Sequence, residues 1–567
     1  MNRTAAMNNS GFLINLEGSR KGAITMLVFL FLIGVLLALL FKNLSSSSLN
    51  PIIKEACTKT LYSSLCFDSI SSVPISKNPL TFHGFLEFLI NQTKNSVEIT
   101  RTYIMVQFEN QDSTSQVKNA HRDCIEILDQ TLYELGQAID HLHKFPSSYG
   151  NLKTLLSAAM TNENTCIDGF SDLESQKGLK EQFQSLLTPI SRMISNSLAM
   201  INYMENINGQ ETVQNPRMLI KEVQEDRTPD WMTNADMKMV EIPTRRRRRR
   251  RTSADVIVAS DGSGDYTFIT EAIGMTPNMS MKRYVIKIKS GIYEENVIIP
   301  REKINLIFIG DGMNKTIIKG SRNIVDGYST FASATLTVIG DKFIARDLTI
   351  INTSGPEKHQ AVALMVTSNA AFFRCQMISY QDTLYAHSLS QFYQDCTIQG
   401  TVDFIFGNAA AIFKNCLILV RKPAPRQKNM ITAQGREDPN QNTGISLQNC
   451  TIKAAPEFTL ADQRNFSTFL GRPWRNFSRT IIMNSYLDNL IDPQGWCTWN
   501  EYSNLHTIDY IEYMNSGPGS NTSRRVTWAG YRKNCSEDIL RQFTVGEFLH
   551  GADSWLRSRV FPLLRST

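Results

Sequence analysis

The sequence lacks any sign of metal-binding chemistry. Histidine is scarce, eight in 567 residues, and the ten cysteines are spread along the chain. No group of cysteines and histidines has the spacing of a zinc ligand set, so no metal site is expected. A phosphate-cradling loop is missing too. Gly262 and Gly264, in Asp261-Gly262-Ser263-Gly264, leave the G-x-G-x-x-G pattern incomplete, and no βαβ alternation surrounds them. A general basic face is also absent. The formal net charge is +6, but the seven arginines Arg245 to Arg251 supply more than all of it, which argues against a nucleic-acid binder. Long apolar runs are missing except one, Ala23 to Phe41.

That run holds 19 uncharged residues between Arg20-Lys21 and Lys42, close to what a bilayer core requires. Basic residues on its N-terminal side favour a cytosolic segment 1–22 and a transmembrane signal anchor 23–41. A cleaved signal peptide and a buried soluble helix are the competing readings. Either membrane reading sends the remainder into the secretory pathway, where disulfides persist. Sequons at Asn91, Asn278, Asn314, Asn465, Asn476 and Asn521 are compatible with a glycoprotein.

The chain is too long for one compact domain. Residues 51–205 read as a helical bundle. Ile125, Leu128, Leu132, Leu135, Ile139 and Leu142 form one apolar stripe, and Leu152–Met160 and Phe183–Leu198 behave similarly. Of the three ways to pair its cysteines, Cys57–Cys66 with Cys124–Cys166 is the simplest. Its histidines have no recurrent carboxylate or thiol partner, so this domain is expected to bind or regulate. Residues 206–252 lose the periodicity and end in the arginine tract. They read as a solvated linker whose exposed basic run suits a processing protease, with polyanion binding as a further option.

From 253 to about 560 the texture is strand-like. Gln391–Ile398, Ala411–Ile418 and Ala371–Ile378 are near-copies, with Cys375, Cys396 and Cys416 spaced 21 and 20 residues apart. A looser copy ends at Cys450, and Phe343–Ile350 reads similarly with Asp347 in the cysteine slot. Strand-like self-similarity at this period indicates an all-β solenoid of stacked coils. Residues one repeat apart then lie above one another, about 4.8 Å apart. Asp382 and Asp403 are 21 residues apart, so the period alone puts two carboxylates side by side.

Two such carboxylates do not both ionise easily, which yields a general acid and a nucleophile or base at one pH. The plain alternative is that each aspartate caps a turn. Asp403, however, sits in the apolar run Val402-Asp403-Phe404-Ile405-Phe406, where an unpaired carboxylate is costly. Arg472 is a candidate counter-ion. Gln381 and Gln360 offer amide donors for an oxyanion. Tyr385, Phe404, Trp474 and Trp499 suit an aromatic cleft for sugar faces, with a core role equally open for Phe404 and also open for Trp499.

The segments SYQDTLYAHSLSQFYQDC, GTVDFIFGNAA, KHQAVAL, ITAQGREDPNQNTG, FLGRPWRNFSRT and IDPQGWCTWN resemble the pectin methylesterases of plant cell walls, over about residues 253–550. Residues 51–205 resemble, more weakly, the pectin methylesterase inhibitor domain, a four-helix bundle with two disulfides. The resemblance implies a right-handed parallel β-helix and a secreted enzyme, made as a membrane-targeted pro-protein, that hydrolyses methyl esters of homogalacturonan without metal or cofactor. It assigns Asp403 as nucleophile, Asp382 as proton donor and later base, and Gln381 as oxyanion stabiliser. Gln360, Thr330 and Trp474 become substrate contacts, and Arg472 holds the nucleophile. It also implies a Cys396–Cys416 disulfide. Met365, Gln399 and Glu501 stand where the family usually has arginine, tyrosine and glycine. The arginine tract replaces a shorter basic motif.

A β-helical glycosidase acting on the same polymer is the runner-up, since glycosidases also use paired carboxylates. The motifs Asn-Thr-Asp, Gly-His-Gly and Arg-Ile-Lys of polygalacturonases are nevertheless absent. Non-enzymatic alternatives are a degenerate pectin-binding protein, or a helical domain that inhibits other esterases.

Overall fold

The computed structural model describes residues 50–73, 81–109, 114–143, 149–171, 177–213, 232–240, 254–501 and 503–549. The expected signal anchor and the arginine tract lie outside these residues. Among the described residues no helix is long and apolar enough to cross a membrane.

The first unit is helical. Two short helices, α1 (Pro51–Thr58) and α2 (Ser63–Ser71), precede four long ones: α3 (Phe82–Glu109), α4 (Ser115–Leu142), α5 (Tyr149–Asp168) and α6 (Lys177–Val213). Thr114 starts α4 by accepting a hydrogen bond from the Val117 amide, a side-chain cap for an orphan donor. Along α4 the expected stripe faces inward: Leu128, Leu135 and Leu142 are fully buried, with Ile125, Leu132 and Ile139 packed at the edge of the same core. Disulfides Cys57–Cys66 and Cys124–Cys166 tie α1 to α2 and α4 to α5, with Cα atoms 5.5 and 4.6 Å apart. Helix α6 continues to Val213, past the expected end of the bundle at 205.

The second unit is a parallel β-helix. Three sheets of 11, 8 and 7 strands run along it, and successive coils contribute one strand to each. One coil, for example, places Leu364–Val366, Ala370–Phe373 and Gln376–Ile378 on the three sheets, and the next places Leu384–Ala386, Ser390–Gln394 and Thr397–Gly400. The short β-branched and aromatic runs supply strands, and the corners explain the repeat. Asp347, Arg374, Asp395, Asn415, Asn449 and Asn484 all turn the chain with φ between 48° and 58°. Asp and Asn are the side chains that tolerate this left-handed conformation best. The residue after each corner points inward.

Those inward positions form a ladder of Leu348, Cys375, Cys396, Cys416 and Cys450, all buried. Two expectations are corrected here. Leu348, not Asp347, fills the cysteine slot, because Gln376 pairs with Thr349 one rung on; Asp347 is the corner residue. Cys396 and Cys416 are not bridged: both are free thiols, as are Cys375, Cys450, Cys497 and Cys535. Adjacent coils bring their α-carbons close enough for a bridge. In a stack of identical coils, however, the side chains point the same way. Each sulfur instead donates to a carbonyl of the coil before it, Cys396 to Phe372 at 3.4 Å and Cys416 to Tyr393 at 3.5 Å. Beside them Phe372, Tyr393 and Phe413 stack nearly parallel, with centroids 5.1 and 4.6 Å apart.

The linker is not wholly solvated. Residues 232–240, ending in α7 (Asn234–Val240), lie on the outer face of the largest sheet. Thr233 and Asp236 cap each other reciprocally. Met232, Met237 and Val240 pack with Val285, Ile307 and Ile344. The Asp236 side chain is fully buried, accepting from Arg283 Nε and Nη2 at 2.7 and 2.8 Å. The β-helical unit therefore begins structurally at 232, upstream of the arginine tract.

Candidate active site

Strand pairing puts the two aspartates in register. Leu384 pairs with Ile405, and the Asp382 amide donates to the Val402 carbonyl at 3.0 Å. Asp382 and Asp403 thus lie one coil apart, both in the left-handed region, with φ of 62° and 52°. Gln360 and Gln381 stack in the same way, so each glutamine sits next to the aspartate ladder. Non-glycine residues in this conformation are uncommon outside turns and sites. Here it turns the side chains out of the coil.

Asp403 is 4% exposed. Arg472 reaches it from the strand Thr468–Pro473, two coils on in the same sheet, with Nε to Oδ1 at 2.8 Å and Nη2 to Oδ2 at 2.5 Å. Burial pushes the Asp403 carboxyl above its usual value, and the bonds and charge of Arg472 pull it back. Burial also works against the Arg472 charge, but Asp403 outweighs it and raises the guanidinium. The guanidinium lies over the Trp499 ring at 4.1 Å.

Thr330, Gln360, Gln381, Asp382, Asp403, Arg472 and Trp474 all line one cleft of about 520 Å³. Tyr385 stacks on Phe406 with centroids 4.2 Å apart, and Trp474 packs against both. Gly435 makes room for that indole, since a Cβ there would stand 2.8 Å from it. Phe404 is the exception among the proposed cleft aromatics. It is fully buried in the coil interior, because it alternates with Asp403 across the strand; Phe406, one repeat after Tyr385, holds the place assigned to it. Met365 is buried against Tyr385 and Phe406. Glu501 is exposed.

The sequence comparisons follow this division of the chain. The family model described as Pectinesterase matches residues 255–552, and that described as Plant invertase/pectin methylesterase inhibitor matches residues 51–200. The chain belongs to the pectinesterase family. Pectinesterase 3 of Citrus sinensis is 43% identical over 90% of this chain and 88% of its own length. The pectinesterase/pectinesterase inhibitor U1 of Solanum lycopersicum is likewise 43% identical, over 91% of this chain and 89% of its own. Among solved structures, the pectin methylesterase from carrot is 49% identical, with a TM-score of 0.54, covering 56% of this chain and 99% of that one.

Sequence reasoning missed how the inhibitor-like unit meets this pectinesterase cleft. Helix α5 presents Thr154, Ser157, Thr161, Thr165 and Asp168 at steps of three and four residues, one face of a helix. The Thr154, Thr161 and Thr165 hydroxyls donate to carbonyls one turn back in the helix, and each of the five residues also has a partner on the β-helical unit. Asn442 Nδ2 donates to Thr154 Oγ1 at 2.8 Å, and Gln441 Nε2 to the Ser157 carbonyl at 3.2 Å. Asn408 Nδ2 donates to Thr161 Oγ1 at 2.8 Å, and Thr165 Oγ1 meets His387 Nε2 at 2.8 Å. Arg475 Nη2 donates to both Asp168 oxygens at 2.6 Å. From α4, Asp123 accepts from Ser329 Oγ at 2.5 Å, and Ile127 enters an apolar patch of Phe331, Val362, Met365, Tyr385 and Phe406. Asp168, Thr165 and Lys180 line the cleft directly. Burial lowers the His387 pKa to about 3 and raises that of Tyr385.

Proposed function

We propose that the β-helical unit hydrolyses the C6 methyl esters of homogalacturonan, releasing methanol and de-esterified pectate, and that the inhibitor-like unit holds this activity in check. The observation that carries the reading is the stacked Asp382–Asp403 pair with Arg472 bound to Asp403 through both Nε and Nη2. Arg472 thereby supports the anionic form of Asp403 against its burial, and Asp382 is assigned the proton.

Asp403 attacks the ester carbonyl carbon. The oxygen that becomes negative is received by the amides of Gln381 and Gln360, which the register sets beside the aspartates. Collapse of the adduct breaks the bond to the methoxyl group, and Asp382 gives its proton to the departing methanol. The acyl group is now on Asp403. Asp382, deprotonated, takes a proton from water as the water attacks the acyl carbon. Asp403 is regenerated as a carboxylate, and the galacturonate leaves as the acid. Trp474 offers a flat face for a sugar ring, and Thr330 a hydroxyl in the same cleft.

The α5 stripe supports the restraint. It occupies the cleft wall where a polysaccharide would run, and Asp168 and Thr165 stand inside the cavity. We assign the arginine tract as the processing site and the secretory route to the cell wall as the protein's destination. The test is methanol release from highly methylated pectin by residues 232–567, beside Asp403→Ala. Release by the unsubstituted protein alone is expected. Equal release by the variant would overturn the mechanism, and new reducing ends without methanol would favour a glycosidase.

A further inference from the structure

Two arginines line the cleft among the described residues, and they differ in what they are free to do. Arg472 is committed: both its bonds go to Asp403, and a substrate anion could take it only by releasing the nucleophile. Arg475, three residues on, stands over the Trp474 ring at 5.0 Å. Within its own unit its partner is Glu437, with Nε 3.4 Å from Oε2, a long contact to a side chain 43% exposed. Its short bonds go to Asp168, which belongs to the inhibitor-like unit and departs with it. What remains in the cleft is a half-buried guanidinium, beside a sugar-binding indole, that has lost its closest anion.

We propose that Arg475 is a specificity-determining residue that receives the free carboxylate of an already de-esterified galacturonate unit, in the place that Asp168 fills in the intact chain. This rests on the esterase reading above. An uncharged methyl-esterified unit offers a guanidinium nothing that water does not, whereas a uronate offers a charge-assisted bond of the kind Asp168 makes. The only charged group that homogalacturonan can present is the one the reaction creates. Each turnover then supplies the ligand that holds the polymer for the next, so esters beside existing acids are consumed first. Asp168 acts as a surrogate for this product carboxylate, which makes the inhibitor-like unit and an acidic stretch of pectin competitors for one cation.

The experiment uses residues 232–567. This unit has a core of its own, and a solved relative consists almost entirely of the matching span. Two galacturonate oligosaccharides of equal length are compared, one fully methyl-esterified and one with a single free acid unit, and kcat/KM for methanol release is measured on each. The unsubstituted protein is expected to prefer the mixed oligosaccharide by about tenfold, the scale of one charge-assisted bond. That preference should shrink in high salt as charges are screened. Arg475→Gln should bring the ratio close to one whatever its absolute rate, and Arg475→Lys should restore part of it. A ratio of one in the unsubstituted protein, or an unchanged ratio in folded Arg475→Gln, overturns the proposal. A variant too unstable to assay leaves the salt dependence and the lysine variant to decide in the same terms. Absence of methanol from both substrates with the unsubstituted, folded protein instead overturns the esterase reading, and this proposal with it.

Discussion

Replacing Arg472 by methionine keeps an aliphatic stem in the cleft wall and removes the cation that balances Asp403. The Asp403 side chain is 6% exposed and that of Arg472 22%. Breaking such a pair leaves a buried charge without compensation, which costs about 3–5 kcal/mol when both partners are sealed; the exposed edge of Arg472 reduces the expectation to about 2–3 kcal/mol. The loss is pH-dependent, and its sign follows from the direction of the shift. Burial already raises the Asp403 pKa, and without Arg472 nothing opposes it. A carboxyl with a raised folded pKa holds its proton better folded than unfolded, so stability falls as pH rises from the unfolded value of about 3.9 through the raised one. Arg472→Met in residues 232–567 should therefore melt close to the unsubstituted protein near pH 4. By pH 8 it should fall below it by roughly 3–4 °C. The lost stacking on Trp499 lowers both melts equally and drops out of the difference. Adding Asp403→Asn to the variant should abolish the pH-dependent part. An Arg472→Met melting curve parallel to the unsubstituted one from pH 4 to 8, or no rescue by Asp403→Asn, would refute the view that Arg472 exists to keep Asp403 ionised.

Three more outcomes are expected. With the linker cut between 214 and 231, the two units should bind each other more weakly as pH falls below about 6.5. His387 is neutral beneath Thr165 with its pKa lowered to about 3, so docking must expel a proton at lower pH, about tenfold per unit. Calorimetry of His387→Asn should lack this limb, and an identical pH profile would refute it. Reduction by dithiothreitol should destabilise the helical unit by about 2–4 kcal/mol for each of its two disulfides. The same treatment should leave the melting of residues 232–567 unchanged; a fall there would mean that Cys396 and Cys416 are bridged after all. A chain beginning at residue 254 should melt below one beginning at 232 and bind more of a hydrophobic dye, because Val285, Ile307 and Ile344 lose the cover of Met232, Met237 and Val240.

The aspartate pair was legible in the sequence because a β-helix converts sequence period directly into spatial neighbourhood. Asp382 and Asp403 share the corner geometry and the repeat, so counting alone brings them together. The count also sets Cys396 and Cys416 one above the other, but the bridge that the resemblance implied between them is not formed. Proximity in a stack is necessary for a bridge, but identical coils aim their side chains alike, and the count carries no direction. It failed for Asp347 by one residue, which in a strand exchanges the corner for the interior. Phe404 was ambiguous for the same reason: only the phase of the strand, set by its neighbours in the sheet, decides which of Asp403 and Phe404 faces out.

The contact between the units was illegible for a different reason. Thr154, Ser157, Thr161, Thr165 and Asp168 have the periodicity of a solvated helix face, and on a single unit that is the correct reading. Their partners across the interface lie on a surface that begins more than a hundred residues later in the chain. A docking face that must also detach has to be tolerable in water, so it is built from short hydroxyls and the carboxylates of Asp123 and Asp168, with Ile127 as its apolar anchor. Its partner face follows the same rule: Asn408, Gln441, Asn442 and Arg475 are hydrophilic when uncovered, and a sugar polymer can use the bonds they make. The polarity that hid the interface in the sequence is what lets one surface serve in turn for an inhibitory helix and for a polysaccharide.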